Sequence, residues 1–213
     1  MSPSTCSLGI CLVLVGAFAA SQAQPLGPQV LEVEPFVELP SGVRYPEGLA
    51  TNPRNGDIYV GTFDMRQPTS ERNNQLLRYA ADGGLLAQRS FAGMPLTGLG
   101  YADGQLYILN FGAGKLQRIL ADFTADTPVE DVLDFPRLVP PAPAARMVDN
   151  PDGSQDRIEF AASGMPAPNG LVFAGNGDLY VSDSFQGALY RIADATHCKP
   201  CSLEVLSRDP LLA

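Results

Sequence analysis

The chain has 213 residues, of which 23 are acidic and 14 basic, and its formal net charge is −9. This charge excludes nucleic acid as an expected partner, because a phosphate backbone is bound by a basic face. It also disfavours an anionic membrane surface. The content of 45% hydrophobic residues, with 21 Gly and 19 Pro, is typical of a turn-rich all-β domain rather than of a disordered chain.

The first 23 residues are predicted to be a secretory signal peptide. Residues 8–20 form an apolar stretch that is too short to span a bilayer comfortably. Ser21 and Ala23 fit the small-residue positions before a cleavage site. No Lys or Arg precedes the apolar stretch, which leaves an uncleaved interfacial anchor as the alternative. We expect a secreted or periplasmic protein that begins near Gln24 and does not associate with the membrane after cleavage.

One strand pattern then occurs three times along the chain. Each copy begins with a Gly-Leu pair, at Gly48, Gly98 and Gly170, and continues to a second strand that contains Ile-Tyr or Leu-Tyr. Turn residues such as Asn176 and Gly177, which tolerate positive φ, separate the short strands. The apolar positions alternate with a period of two, which indicates strands and disfavours helical repeats.

This repeat predicts a β-propeller built from four-stranded blades. A period of about 40–50 residues with four strands is the signature of such blades, and we place them near 45–93, 94–138 and 164–213. A strand-like segment at 30–39 precedes them and is expected to complete the last blade. The gap before the third copy holds an insertion at 139–163, which we expect to be a long surface loop because Pro residues cluster in it.

Three blades leave two open sheet edges, whereas a propeller avoids exposed edges by closing into a ring. A six-bladed ring at this period requires roughly 280–300 residues. We therefore expect the sequence to be the N-terminal part of a longer protein that is a monomer when its ring is complete. A dimer of half-rings is the alternative.

Two cysteines, Cys198 and Cys201, remain after removal of the signal peptide. An exported protein lies in an oxidising compartment, where this pair is expected to form a structural disulfide. A redox-active pair is a second interpretation. A zinc site is the third, but it would need a second pair of ligands, and only His197 is near.

The residues around the repeat anchors resemble those of a known propeller family. The runs EGL at 47–49, PNGL at 168–171 and LYVSDS at 179–184 resemble the gluconolactonase and senescence-marker-protein family, and they resemble NHL-repeat propellers nearly as well. The first resemblance implies a six-bladed ring that holds a divalent cation on its channel axis, with Glu47 and Asn169 at the matching ligand positions. The catalytic Asp of that family lies in a later blade, so no catalytic residue is assigned.

Polar residues are also predicted to lie together at one end of the blades. In an antiparallel hairpin the start of the first strand lies beside the end of the second. The oxygen atoms of Glu, Asn and Asp side chains are hard ligands, which suit Ca²⁺ better than they suit a zinc site built from soft ligands. We therefore expect a Ca²⁺ site of Glu47, Asn169 and Asp183. Other polar residues at matching positions are expected around it, namely Thr62, Thr97 and Asn110. The alternative is that these side chains only cap hairpins.

Two functions follow from these expectations. The first is an exported, metal-dependent lactonase or esterase, in which the cation polarises the ester carbonyl. The second is a non-catalytic propeller that acts as a binding module, with a ligand or partner held by its surface loops. Both place a small-molecule ligand or substrate at the mouth of the channel.

Overall fold

The computed structural model describes residues 33–213, so the predicted signal peptide at 1–23 lies outside the described residues. Phe36–Ala213 form one compact unit. Within the part of the chain that the structure describes, the regular elements are strands and two short 3₁₀ helices. No helix among these residues is long and apolar enough to cross a membrane.

The strands form three four-stranded antiparallel sheets, each in sequential order, and one two-stranded hairpin. In chain order the first sheet contains β1 (Pro46–Thr51), β2 (Ile58–Thr62), β3 (Gln75–Tyr79) and β4 (Leu85–Ser90), and the second contains β5 (Leu96–Ala102), β6 (Gln105–Asn110), β7 (Lys115–Leu120) and β8 (Glu130–Asp134). The hairpin consists of β9 (Ala144–Asp149) and β10 (Gln155–Phe160), and the third sheet contains β11 (Pro168–Phe173), β12 (Leu179–Asp183), β13 (Ala188–Ile192) and β14 (Glu204–Arg208). The 3₁₀ helices are Thr69–Glu71 and Pro210–Leu212.

Strand β6 shows how the alternating sequence produces stacked sheets. Leu106 and Ile108 are fully buried in a cluster with residues of the first sheet. Tyr107 and Leu109 instead join a cluster with residues of the third sheet, including Val181. Because successive side chains of a strand point to opposite faces, one strand supplies apolar groups to two cores.

The three sheets are blades of a β-propeller, as predicted. Their first strands are neighbours, because β5 lies beside both β1 and β11. Each blade then continues outward as a meander to its fourth strand. Four-stranded meanders that stack face to face, with their first strands side by side, are the construction of a propeller.

The glycines of the Gly-Leu anchors allow these inner strands to approach closely. A Cβ atom on Gly48 would lie 1.9 Å from the carbonyl oxygen of Thr97, and one on Gly98 would lie 2.8 Å from that of Asn169. The pairing register shifts at the anchor in all three blades, which identifies a β-bulge in each inner strand. Gly48 and Gly98 therefore mark backbone contacts between blades.

The insertion, which was predicted to be a long surface loop, contains the largely exposed hairpin β9–β10. The two strands pair over their whole length. The tip NPDGS closes the hairpin, with the backbone N–H of Gly153 donating to the carbonyl oxygen of Asn150 at 2.9 Å. The Pro cluster at 140–143 precedes the hairpin and lies in irregular chain. Its three prolines lack the N–H donor that a strand requires, but they do not affect the segment that follows.

The predicted strand at 30–39 is not observed in its described part, residues 33–39. Pro40 ends the segment and lacks a backbone donor. Val37 and Leu39 still pack against the outer face of the first blade, on a cluster that includes Val60 and Tyr79. These two apolar side chains are thus partly buried, but no sheet pairing forms within residues 33–39.

Candidate ligand site at the mouth of the blades

One end of the blades carries the polar residues singled out in the sequence. The first residue of each inner strand pairs with the last residue of the second strand, as in the pairs Pro46↔Thr62, Leu96↔Asn110 and Pro168↔Asp183. We call this end the mouth. It includes the turns between the second and third strands of each blade and the connections that enter β1, β5 and β11.

Asp183 is fully buried at the end of β12. Its Oδ1 accepts from the backbone N–H groups of Phe185 at 3.1 Å and Gln186 at 2.9 Å. Its Oδ2 accepts from the backbone N–H of Ala167 at 2.9 Å and from Nε2 of Gln186 at 3.1 Å. The carboxylate therefore caps the turn and joins it to the segment entering β11. Burial, and next the charge of Asp183, raise the pKa of Tyr190, whose hydroxyl accepts from Gln186 Nε2 at 2.9 Å.

Thr62, Asn110 and Thr97 are also buried at the mouth and bond to the protein itself. Thr62 Oγ1 accepts from the backbone N–H at the start of β3 at 2.8 Å. Asn110 Oδ1 accepts from the backbone N–H of Ala113 at 3.0 Å. Thr97 Oγ1 donates to the carbonyl oxygen of Pro168 in the next blade at 2.7 Å. These side chains fix the turns and join the second blade to the third.

Glu47 and Asn169 differ from the other predicted site residues because they are exposed. Both lie in the bulges of their inner strands. Asn169 Nδ2 donates to Ser184 Oγ at 2.8 Å. Residues 33–213 contain no group of three or more His, Cys, Asp or Glu side chains placed to hold a metal ion. A cation site at Glu47 and Asn169 would therefore need oxygen ligands of other kinds.

Each blade also contributes one Phe ring to the mouth. Phe63 follows β2, Phe111 follows β6 and Phe185 follows β12 after one intervening residue. The ring centroids of Phe63 and Phe111 are 5.0 Å apart with an interplanar angle of 70°, and those of Phe111 and Phe185 are 5.6 Å apart at 83°. Such edge-to-face pairs contribute roughly 0.5–1.5 kcal/mol beyond burial. We call these three rings the aromatic arc.

A cavity of about 480 Å³ opens beside the aromatic arc. This volume lies in the range of small-molecule sites. Phe185, at the edge of this cavity, is 48% exposed. The cavity wall is largely apolar and takes aromatic and thioether side chains from loops of all three blades, namely Phe111, Phe135, Phe185, Met65, Met94 and Met165.

The charged side chains that line this cavity are Arg72, Arg137 and Asp134. Asp134 Oδ1 lies 3.3 Å from Nζ of Lys115, which also forms an ion pair with Asp131. Arg72 Nε donates to the carbonyl oxygen of Gln67 at 2.6 Å. Among the residues that the structure describes, neither arginine forms an ion pair with a carboxylate. The cavity is therefore locally cationic in a protein whose net charge is −9.

Cys198 and Cys201 form a disulfide, as predicted. The loop that they close lies between β13 and β14, at the opposite end of the blade from the mouth. His197 lies in the same loop, with its Nδ1 2.8 Å from Oδ1 of Asp194. This hydrogen bond raises the pKa of His197. None of these four residues lines the mouth cavity.

The lining of the cavity was missed by reasoning from the sequence. A signal did exist for the aromatic arc, because a Phe follows the polar last residue of the second strand within one or two positions in every copy of the repeat. The methionines and arginines lie in loops of different lengths with no common spacing. Only the fold brings them together.

Comparison with known proteins gives matches in structure alone. No family model and no curated protein matches the chain. The solved structure of luciferin-regenerating enzyme matches with a TM-score of 0.50 at 12% identity, over 76% of this chain and 46% of that chain. The nidogen/laminin complex matches with a TM-score of 0.43 at 16% identity, over 73% of this chain and 46% of that one. Virginiamycin B lyase from Staphylococcus aureus matches with a TM-score of 0.39 at 14% identity, over 76% and 55%.

The chain spans about half the length of these solved proteins. At 12% identity, the match to luciferin-regenerating enzyme concerns the fold alone. The activities of those proteins are not transferred to this chain.

Proposed function

We propose that this chain belongs to a β-propeller protein that binds a small molecule at the mouth of its blades. The observation that carries the proposal is the cavity of about 480 Å³, whose walls combine loops of all three blades. Binding residues in propellers and other rigid folds lie on loops that the scaffold positions. Here the hydrogen bonds of Asp183 and Thr97 hold the turns of the mouth in place.

The absence of Trp from the chain allows a direct test. Phe185→Trp places a single indole at the edge of the cavity, and Leu86→Trp places one on β4, where Leu86 is 51% exposed outside the cavity. We expect aromatic fragments at about 1 mM to change the emission of the first variant in a saturable way. The second variant should not respond. Equal responses from both variants, or none from either, would contradict the proposal.

A divalent-metal-dependent lactonase or esterase of the gluconolactonase type is the second candidate. It is favoured by the exposed positions of Glu47 and Asn169 in the bulges of two inner strands. These two side chains would hold Ca²⁺, and the chemistry that such an ion supplies is polarisation of an ester carbonyl. No catalytic residue is assigned in this candidate.

Calorimetry on the full-length protein tests this second candidate. We expect one Ca²⁺ to bind after chelation and dialysis, and Glu47→Gln to weaken binding more than Thr97→Ala does. Aldonolactones and aryl esters would be assayed alongside, with Ca²⁺, Mn²⁺ and Zn²⁺ added separately. If the wild type binds no cation and opens no lactone or ester, the candidate is abandoned and the binding function stands alone.

We also propose that the protein is secreted or periplasmic. The Cys198–Cys201 disulfide supports this location, because disulfides persist in oxidising compartments. Sequencing the N-terminus of exported protein is expected to give a start near Gln24. Retention of Met1 would contradict the cleavage.

A further inference from the structure

We propose that the ligand of the mouth cavity is an aromatic carboxylate, that is, an aromatic ring system that bears a carboxylate group. This inference rests on the proposed function and names the ligand class that the cavity selects. Two features of the cavity carry it. One is the composition of its wall, and the other is the sign of the charge at its rim.

The wall of the cavity indicates the aromatic ring system of the ligand. Phe111 and Phe185 meet edge to face, with centroids 5.6 Å apart, and Phe185 keeps 48% of its surface exposed. Met65 and Met165, which are 44% and 55% exposed, line the same space from different blades. Exposed Phe and Met side chains leave apolar surface in contact with water. A bound aromatic ring would cover this surface, which is favourable. Thioethers also make favourable contacts with aromatic rings and adapt to their shape.

The rim indicates the acidic group. Arg72 and Arg137 line the cavity, and neither is paired with a carboxylate within the described range 33–213. The hydrogen bond from Arg72 Nε to Gln67 fixes that guanidinium by one edge. The planar guanidinium matches a carboxylate through paired N–H donors. The one acidic side chain of the lining, Asp134, shares Lys115 with Asp131, and the two arginines outnumber it at the rim.

The same lining argues against the other ligand classes considered for this protein. A bare cation would be repelled by two unpaired arginines. A neutral polyhydroxy lactone would find mostly Phe, Met, Pro, Gly and Ala around it, which offer few side-chain partners for its hydroxyls. Glu47 and Asn169 do not line this cavity. The carboxylate site is thus separate from the predicted cation site.

Calorimetry with a matched pair of probes tests the inference. The probes are 2-naphthoate and its neutral amide, 2-naphthamide, titrated into the mature protein at low salt. We expect the amide to bind about tenfold more weakly than the acid. Arg72→Gln and Arg137→Gln should each weaken naphthoate about tenfold and change naphthamide less than about twofold. Arg66→Gln is the control, because Arg66 lies over the ring of Tyr45, 4.5 Å from its centroid, and does not line the cavity.

The outcomes separate this inference from the function on which it rests. Equal affinity for acid and amide, or equal losses in all three arginine variants, would overturn the carboxylate assignment while the mouth remains a binding site. Failure of both probes, together with no response of the Phe185→Trp reporter to any fragment, would overturn the proposed function itself. Urea midpoints for each variant show whether it is folded. Arg137 is exposed, so Arg137→Gln carries the test if Arg72→Gln unfolds the loop.

Discussion

At the scale of single residues, the repeat anchors are explained by contacts between backbones. The sequence showed Gly48 and Gly98 at equivalent positions, but not why glycine is needed there. In the structure the carbonyl oxygens of Thr97 and Asn169 occupy the space that a side chain would take. Neither glycine has a positive φ, so the requirement concerns space between blades and not turn geometry.

Gly48→Ala is therefore expected to destabilise the protein by about 1–3 kcal/mol, the usual cost of overpacking. The new methyl group would lie 1.9 Å from a backbone oxygen, which can move only if the blades separate. Gly175→Ala is the matched control, because no atom lies within 4 Å of its Cβ position. Urea unfolding measures both. Equal midpoints for the two variants would show that the inner strands are not packed as described.

Two tyrosines at the same repeat position offer a second test. The hydroxyl of Tyr107 donates to the carbonyl oxygen of Ala195 in the third blade at 3.2 Å. The buried hydroxyl of Tyr59 has no hydrogen-bond partner among the residues described. We expect Tyr107→Phe to cost about 1 kcal/mol, because it removes a bond and leaves a carbonyl unpaired. Tyr59→Phe should be neutral or stabilising by urea unfolding, and a larger loss in Tyr59→Phe would contradict this assignment.

At the scale of elements, each blade repeats one cross-strand arrangement. An Arg of the third strand stands opposite the Tyr of the second in the pairs Tyr59↔Arg78, Tyr107↔Arg118 and Tyr180↔Arg191. In the first and third blades this Arg also binds an Asp that precedes the second strand, at 2.7 Å for Asp57 and 2.8 Å for Asp178. Gln105 takes the place of the Asp in the second blade, where the Arg turns to Glu130 instead.

Asp178 gives the arrangement a dependence on pH. The backbone N–H of Asp194, and next Arg191, hold the pKa of Asp178 below its usual value. A carboxylate with a lowered folded pKa stabilises the protein above its unfolded pKa of about 3.9, and this contribution is lost as pH falls through the folded pKa. We expect Asp178→Asn to lower the urea midpoint at neutral pH, and the gap to wild type to narrow below about pH 4.

Asp126→Asn controls for the loss of one negative charge, because Asp126 is exposed. It should leave the urea midpoint nearly unchanged at both pH values. A gap between Asp178→Asn and wild type that stays constant from neutral to acid pH would show that the carboxylate does not act through its charge.

The sequence predicted strands wherever apolar and polar residues alternate with a period of two. The strands of the three blades form where alternating apolar residues and turn glycines recur in each copy. The hairpin β9–β10 was missed because its faces mix Met147 and Val148 with Arg and Asp. Such strands have no apolar face, so the sequence shows no alternating pattern there. The neighbouring Pro cluster indicated a loop instead.

At the scale of the whole molecule, the candidate site depends on how the blades stack. The polar residues at the strand ends could be placed at one end from hairpin geometry alone. Their contacts could not, and Asp183 and Thr97 proved to be bonded within the protein. The cavity itself joins Arg72 of the first blade to Met165 before the third. Side chains so far apart in sequence meet only because the blades pack face to face.

The central claim, a ligand site at the mouth, is tested most directly by NMR of the protein labelled with ¹³C at its methionine methyl groups. Met65, Met94 and Met165 line the cavity, whereas Met147 lies in β9, 58% exposed and away from it. Titration with 2-naphthoate is predicted to shift the methyl signals of Met65, Met94 and Met165 along one saturable curve and to leave that of Met147 in place. Shifts at Met147 alone, or equal shifts at all four, would contradict the claim.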